Sequence, residues 1–179
     1  EILADRVKAG REGQAAAKEQ FQTTLQAFQA VTGFQGGELE QVYDELNDEY
    51  EDSEESADTV RERITKIEEV AEALFEEWRG EIDEISSPDF QRKSEQMLAD
   101  TQARYEILVT KMKFASSKMD PVLTAFRDRV LLLKHNLNAQ AVDSLREDEM
   151  EMQSGVDALI REMQASIDEA DAFIASMES

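Results

Sequence analysis

The sequence predicts an all-α protein, an elongated antiparallel coiled-coil-like bundle of three to four long helices, in a single domain over residues 1–179. Three observations carry this prediction. Good helix formers (Gln, Glu, Ala, Leu, Met, Lys and Arg) dominate the composition. Only two prolines and seven glycines occur, too few for a loop-rich or many-stranded fold. Apolar residues return at three- and four-residue steps over long stretches and do not alternate. The length suffices for a substantial core. Hydrophobic residues at 41%, set at helical period, argue against disorder in spite of a net charge of −22.

The first helix is expected over residues 1–32. Leu3, Val7, Ala17, Phe21, Leu25, Phe28 and Val31 fall on one stripe, and Gly33 and the pair Gly36-Gly37 end it. The second spans 38–85 and is the most regular. Leu39, Tyr43, Leu46, Tyr50, Ser53, Ala57, Val60, Ile64, Ile67, Ala71, Leu74 and Trp78 step by four and three without a break, the coiled-coil signature. Ile82 and Ile85 follow Trp78 out of phase by one residue. Such a helix is roughly 70 Å long.

Ser86-Ser87-Pro88 is the sharpest boundary, with Ser87 placed to cap the next helix and Pro88 at its first position. The third helix is expected over 88–135. Its stripe is Phe90, Met97, Thr101, Tyr105, Leu108, Met112, Ala115, Met119, Val122, Phe126, Val130 and Leu133. Pro121 either kinks a continuous helix or follows an Asp120 cap of a fresh one; the unbroken phase through Met119, Val122 and Phe126 favours the kink. Asn136-Leu137-Asn138 is the last break, with Asn138 capping a fourth helix over 138–177. The alternative joins the third and fourth helices into one bent rod. Val142, Leu145, Met152, Val156, Leu159, Met163, Ile167, Ala170, Ile174 and Met177 form the final stripe.

Charge is unevenly spread. Residues 38–86 hold 20 acidic and 4 basic side chains, residues 87–137 hold 6 and 9, and residues 138–179 hold 11 and 2. The third helix is the only basic one. The tight turn at Ser86–Pro88 pairs it antiparallel with the second, so the acidic run Asp44 to Asp58 is expected to face Lys118, Arg127 and Arg129. Such surface pairs select which helices pair more than they hold the bundle together. The overall acidity argues against nucleic acid as a partner.

Residues that could carry chemistry are sparse. The chain has no cysteine, so disulfides, zinc thiolates and thiol nucleophiles are excluded. His135 is the only histidine and has no second His or Cys with which to complete a metal site; a surface role near a helix end fits it. A di-iron bundle needs two Glu-x-x-His motifs. The run from Asp44 to Glu55 resembles a calcium loop only in composition: it lacks the glycine of the turn, and the heptad passes straight through it. Carboxylate pairs are too abundant to signal glycosidase chemistry. Phosphate-binding glycine loops and nucleophile elbows are missing. Phe75, Trp78, Phe90 and Phe126 read as core and hairpin-end packing, and the methionines as gap fillers. No catalytic residue, cofactor or metal is expected.

Several stretches nonetheless have a distinctive wording. They are Glu1-Ile-Leu-Ala-Asp-Arg-Val, the Ala-Lys-Glu-Gln-Phe-Gln ending at Gln22, Leu46-Asn-Asp-Glu-Tyr-Glu-Asp-Ser and Val70-Ala-Glu-Ala-Leu-Phe-Glu-Glu-Trp. Met119-Asp-Pro-Val-Leu-Thr-Ala-Phe-Arg-Asp, Leu133-Lys-His-Asn-Leu-Asn-Ala and Ile167-Asp-Glu-Ala-Asp-Ala-Phe-Ile complete the set. Along nearly its whole length the chain resembles the uncharacterised gammaproteobacterial family of domain of unknown function 2959. That resemblance implies an export signal and a lipid-attachment cysteine ahead of Glu1, hence a periplasmic lipoprotein anchored to the cell envelope, with membrane contact through that anchor. The start at Glu1 instead of Met accords with a trimmed leader. The family brings no activity or catalytic residues.

The expected role is therefore a structural or interaction protein, presenting a long acidic helical surface to a protein partner or, as a homodimer, to itself. The alternative is a membrane-associated helical module. Its candidate surface is the basic set Lys111, Lys113, Lys118, Arg127, Arg129 and Lys134.

Overall fold

A computed structural model describes residues 2–34 and 37–178. They form six helices and, among the described residues, no strand: α1 (Ile2–Thr32), α2 (Leu39–Asp83), α3 (Pro88–Ser117), α4 (Met119–His135), α5 (Ala139–Glu147) and α6 (Glu149–Glu178). These make four rods, because α3 and α4 follow one another end to end across Lys118, and α5 and α6 do so across Asp148. Rod neighbours are α1 with α2, α2 with α3–α4, α3–α4 with α5–α6, and α6 back onto α1. Each neighbouring pair is antiparallel, the up-down-up-down bundle that short connections between long amphipathic helices produce.

Side-chain pairs fix the registers. Thr24 of α1 meets Ser53 of α2, and Arg63 donates to the Ala9 carbonyl at 2.8 Å. Lys113 of α3 meets Glu68 of α2, and Arg61 of α2 meets Asp120 of α4. Arg11 of α1 meets Asp171 of α6, and Lys8 meets Glu178. At Gly10 an added Cβ would come within 2.6 Å of the Ile67 Cδ1 and 3.3 Å of the Met112 Cε, so glycine lets α1 settle between α2 and α3. Gly37, at φ 109°, supplies the left-handed residue that turns the chain into α2, and Gly33 donates back to the Gln29 carbonyl. Gly36 lies outside the described residues.

The caps at the two sharp boundaries are formed. Ser87 Oγ accepts from the Phe90 N–H at 3.4 Å with Pro88 in first place, and Asn138 Oδ1 accepts from the Ala141 N–H at 2.9 Å. The Pro121 reading needs refinement. The rod bends at Lys118, three residues before the proline, and Asp120 does not cap α4 but bonds to Arg61. Proline has no N–H to return to the carbonyl four residues earlier, and α3 ends at that residue, Ser117. A second joint, at Asp148, interrupts the fourth rod between α5 and α6.

The core follows the stripes with two departures. Buried positions on α2 run Ile64, Ile67, Ala71, Phe75 and Ile82, so the phase slips at Phe75, ahead of Trp78, and Leu74 and Trp78 are half-buried. On α3, Phe90 and Met97 belong to the stripe by spacing yet are 62% and 61% exposed. Both have one cause. Since Lys8 meets Glu178 and Lys111 meets Glu169, α1 begins and α6 ends well short of the Ser86–Pro88 turn. Past that level only α2 and α3 remain, so the buried face narrows to the one they share, where Phe75 packs edge-on against Tyr105 and Trp78 Nε1 donates to Ser94.

Candidate functional site

The rods differ most in what they show to solvent. On α2, Asp48, Glu55, Glu62, Glu69, Glu76 and Asp83 recur every seven residues, and all are exposed. The seven-residue repeat that buries Leu46, Ile67 and their neighbours thus also lines the opposite face with carboxylates. The run Asp44 to Glu55 is continuous α2 helix. On α3 the outward stripe is Ala99, Ala103, Ile107, Thr110, Phe114 and Ser117, all exposed and none charged. Ile107 is 51% and Phe114 49% exposed, in a chain of which 34% is charged.

The six basic residues of the candidate surface, Lys111, Lys113, Lys118, Arg127, Arg129 and Lys134, do not gather on one face of the third rod. Lys111 leans toward α6, with Nζ 3.2 Å from Glu169 Oε2, and Lys113 leans toward α2, with Nζ 2.6 Å from Glu68 Oε2. Lys118, at the bend, holds its Nζ 4.8 Å from the centre of the Phe114 ring. Arg127 lies on the α2 side near Tyr50. Arg129 is the most buried. It turns away from the acidic run of α2, donates to the Ala125 carbonyl, and meets Asp148 Oδ2 at 3.0 Å at the α5–α6 joint. Its Nε has no hydrogen-bond partner among the described residues. Lys134 and His135 are exposed at the end of α4. Lys111 and Lys113 therefore flank the uncharged stripe of α3 on opposite sides, Lys118 stands at its end, and Arg129 on α4 bridges to the fourth rod.

Open grooves run between the rods; the one between α4 and α6 is lined by Val122, Ala125, Asp128, Arg129 and Met152. Among the described residues no cluster of three His, Asp or Glu side chains is placed to hold a metal ion. Among the described residues no helix is long and apolar enough to cross a membrane. Burial, helped by neighbouring carboxylates, pushes all three tyrosines up, Tyr43 least. Burial, then Glu54, pushes Tyr50 up to about 12, and burial, then Glu68, pushes Tyr105 up to about 12.

The outward stripe of α3 is a surface feature that the buried stripe alone does not reveal. A signal for it exists in the sequence: a second four-three spacing, offset from the buried one, on which no charge falls from Ala103 to Ser117.

A family model described as Protein of unknown function (DUF2959) matches residues 1–177. No curated protein and no solved structure matches the chain.

Proposed function

Because the chain belongs to the family of proteins of unknown function DUF2959, which brings no activity with it, we propose from the physical features that it is a non-enzymatic structural or interaction protein, a helical rod that offers its length to a protein partner or to a second copy. The observation that supports this most is the contrast between two rods: a row of exposed carboxylates on α2 and a charge-free stripe with exposed Ile107 and Phe114 on α3. An apolar stripe on a helix that already buries its other face against the bundle is a feature of recognition surfaces. The acidic face favours solution or a basic partner and disfavours unspecific association. The periplasmic, lipid-anchored setting is carried over from the family resemblance.

The test is a photo-crosslinking side chain introduced at Ile107 of α3, and in a second variant at Glu62 of α2, in living cells expressing the protein with its natural leader. A discrete adduct of defined mass is expected from Ile107. Absence of a discrete adduct from both positions contradicts the reading. Fractionation of the same cells tests the setting: recovery in the soluble cytosolic fraction contradicts it.

A second reading, attachment to a bilayer surface, is favoured by one observation. Lys93 lies over the exposed Phe90 ring at 5.7 Å and Lys118 over the exposed Phe114 ring at 4.8 Å, aromatic and cation pairs of the kind that suit a headgroup layer. Co-sedimentation with anionic vesicles at low salt decides it; protein left wholly in the supernatant removes this reading.

A further inference from the structure

Between α2 and α3 a groove of about 540 Å³ runs beside the edge-on pair Phe75 and Tyr105, within the size range of small-ligand sites. Its walls are carboxylates: Glu68, Glu72 and Glu76 on α2 and Glu106 on α3. Lys113 neutralises Glu68, with Nζ 2.6 Å from Oε2. Glu72, Glu76 and Glu106 are exposed, and among the described residues none of them forms an ion pair. Arg79 lines the groove as well and is likewise unpaired among the described residues. Four carboxylates against two cations leave the groove two negative charges in excess.

Carboxylates alone are common on α2, and Tyr105 sets this group apart. It is only 8% exposed and lines the groove, yet among the described residues its hydroxyl has no hydrogen-bond partner. A phenol so placed forfeits the hydrogen bonds that it makes in water. Burial, then Glu68, Glu106 and Glu72, push its pKa up to about 12, so at neutral pH it is an uncharged hydroxyl whose lone pairs are open to a donor. A donor that carries positive charge satisfies the phenol and the carboxylates together, and an anion is repelled. The carboxylates are not gathered around a point, as a metal ion requires, among the described residues. On α2 they are strung out one helical turn, about 6 Å, apart. Amine nitrogens separated by three or four methylenes stand about 5–6 Å apart.

We propose that this groove binds a linear aliphatic polyamine, one ammonium donating to Tyr105 Oη between Glu72 and Glu106, the next seated against Glu76, and the methylenes lying along the edges of Phe75 and Tyr105. The charge, the spacing and the apolar stem of such a molecule answer the carboxylates, their one-turn repeat and the aromatic floor.

Calorimetric titration of the whole protein with spermidine at low salt is expected to show saturable binding of one molecule per chain. Tyr105→Phe keeps the ring against Phe75 and removes the hydroxyl, and it is expected to weaken spermidine about tenfold. Glu72→Gln with Glu76→Gln is expected to weaken it at least about tenfold. Asp48→Asn with Glu62→Gln removes the same charge from exposed positions of α2 outside the groove, and it is expected to change the affinity less than about twofold. Circular dichroism checks that helicity is unchanged; should Tyr105→Phe lose helicity, the glutamate variants, at exposed positions, decide alone. 1,4-Diaminobutane is expected to bind more tightly than magnesium, which carries the same charge.

No saturable binding of spermidine, or undiminished binding by a folded Tyr105→Phe protein, overturns the inference. Equal losses from the two double variants overturn it too, because they mark a diffuse counterion atmosphere along α2, as does magnesium binding as tightly as the diamine. Tetralysine bound where spermidine is not assigns the groove to a basic protein partner and likewise overturns it.

Discussion

Gln14 and Thr24 are fully buried polar side chains on α1, and they are satisfied to different degrees. Thr24 Oγ1 shares a 2.6 Å hydrogen bond with Ser53 and lies 2.9 Å from the Glu49 carbonyl oxygen and 3.0 Å from that of Gln20. Gln14 Oε1 accepts from Ser166 at 2.6 Å, but its Nε2 has no partner among the described residues. Removing one half of a satisfied buried pair strands the other, whereas removing both halves of a half-satisfied pair relieves a desolvation cost. Thr24→Val is therefore expected to destabilise the protein by about 1–2 kcal/mol, and the double substitution Gln14→Met with Ser166→Ala to be neutral or stabilising by about 1 kcal/mol, both read from urea unfolding. Tyr50 and Tyr105 give a pH prediction. Both are pushed up to about 12, first by burial. Below about pH 10 the tyrosine is protonated in folded and unfolded chains alike, and its contribution is fully present. As pH rises from there through about 12, the unfolded chain releases protons that the folded chain holds, so stability falls. Replacing both by Phe is expected to flatten the loss of stability between about pH 9 and about pH 11 relative to the unmodified protein. Ser53 was legible as core because it occupies a heptad place. Gln14 and Thr24 were not, because α1 buries two flanks, toward α2 and α6, and a single-stripe reading captures one.

The helix boundaries were legible wherever a side chain makes the boundary. Ser87 with Pro88, and Asn138, cap as their residue types dictate. Asn138→Ala is expected to cost about 1 kcal/mol, because the Ala141 N–H loses its acceptor at the start of a helix only nine residues long. The bend at Lys118 was legible as an interruption near Pro121, though its place is set by the carbonyl that the proline leaves without a donor and not by the ring itself. The joint at Asp148 was not legible. The Arg146-Glu-Asp-Glu149 stretch contains no helix breaker, and what holds the turn is a tertiary contact, Arg129 on Asp148, with Arg146 donating to the Thr32 and Phe34 carbonyls at the end of α1. Phe90 and Met97 were read as core for a related reason. Periodicity tells which face of a helix is apolar, but only the lengths and registers of the neighbouring helices tell whether anything covers it.

At the scale of the whole molecule the four stripes are satisfied within one chain, since the buried residues of all six helices join in a single core. Sequence spacing gave the antiparallel order of rods, and it placed the acidic second rod beside the basic third. It did not give the distribution of the basic groups around that third rod, because the bend at Lys118 and the competition between Glu68, Glu169 and Asp148 decide which way each cation leans. A row of carboxylates and a separate uncharged stripe stay apart along extended rods, the longest of them the 45 residues of α2. Small-angle X-ray scattering of dilute protein tests this most directly. A bundle about 70 Å long and two helices wide has a radius of gyration of about 21–22 Å, and that value is expected, with a distance distribution skewed to a long tail. A radius near about 16 Å, that of a compact globule of this chain length, would contradict the account.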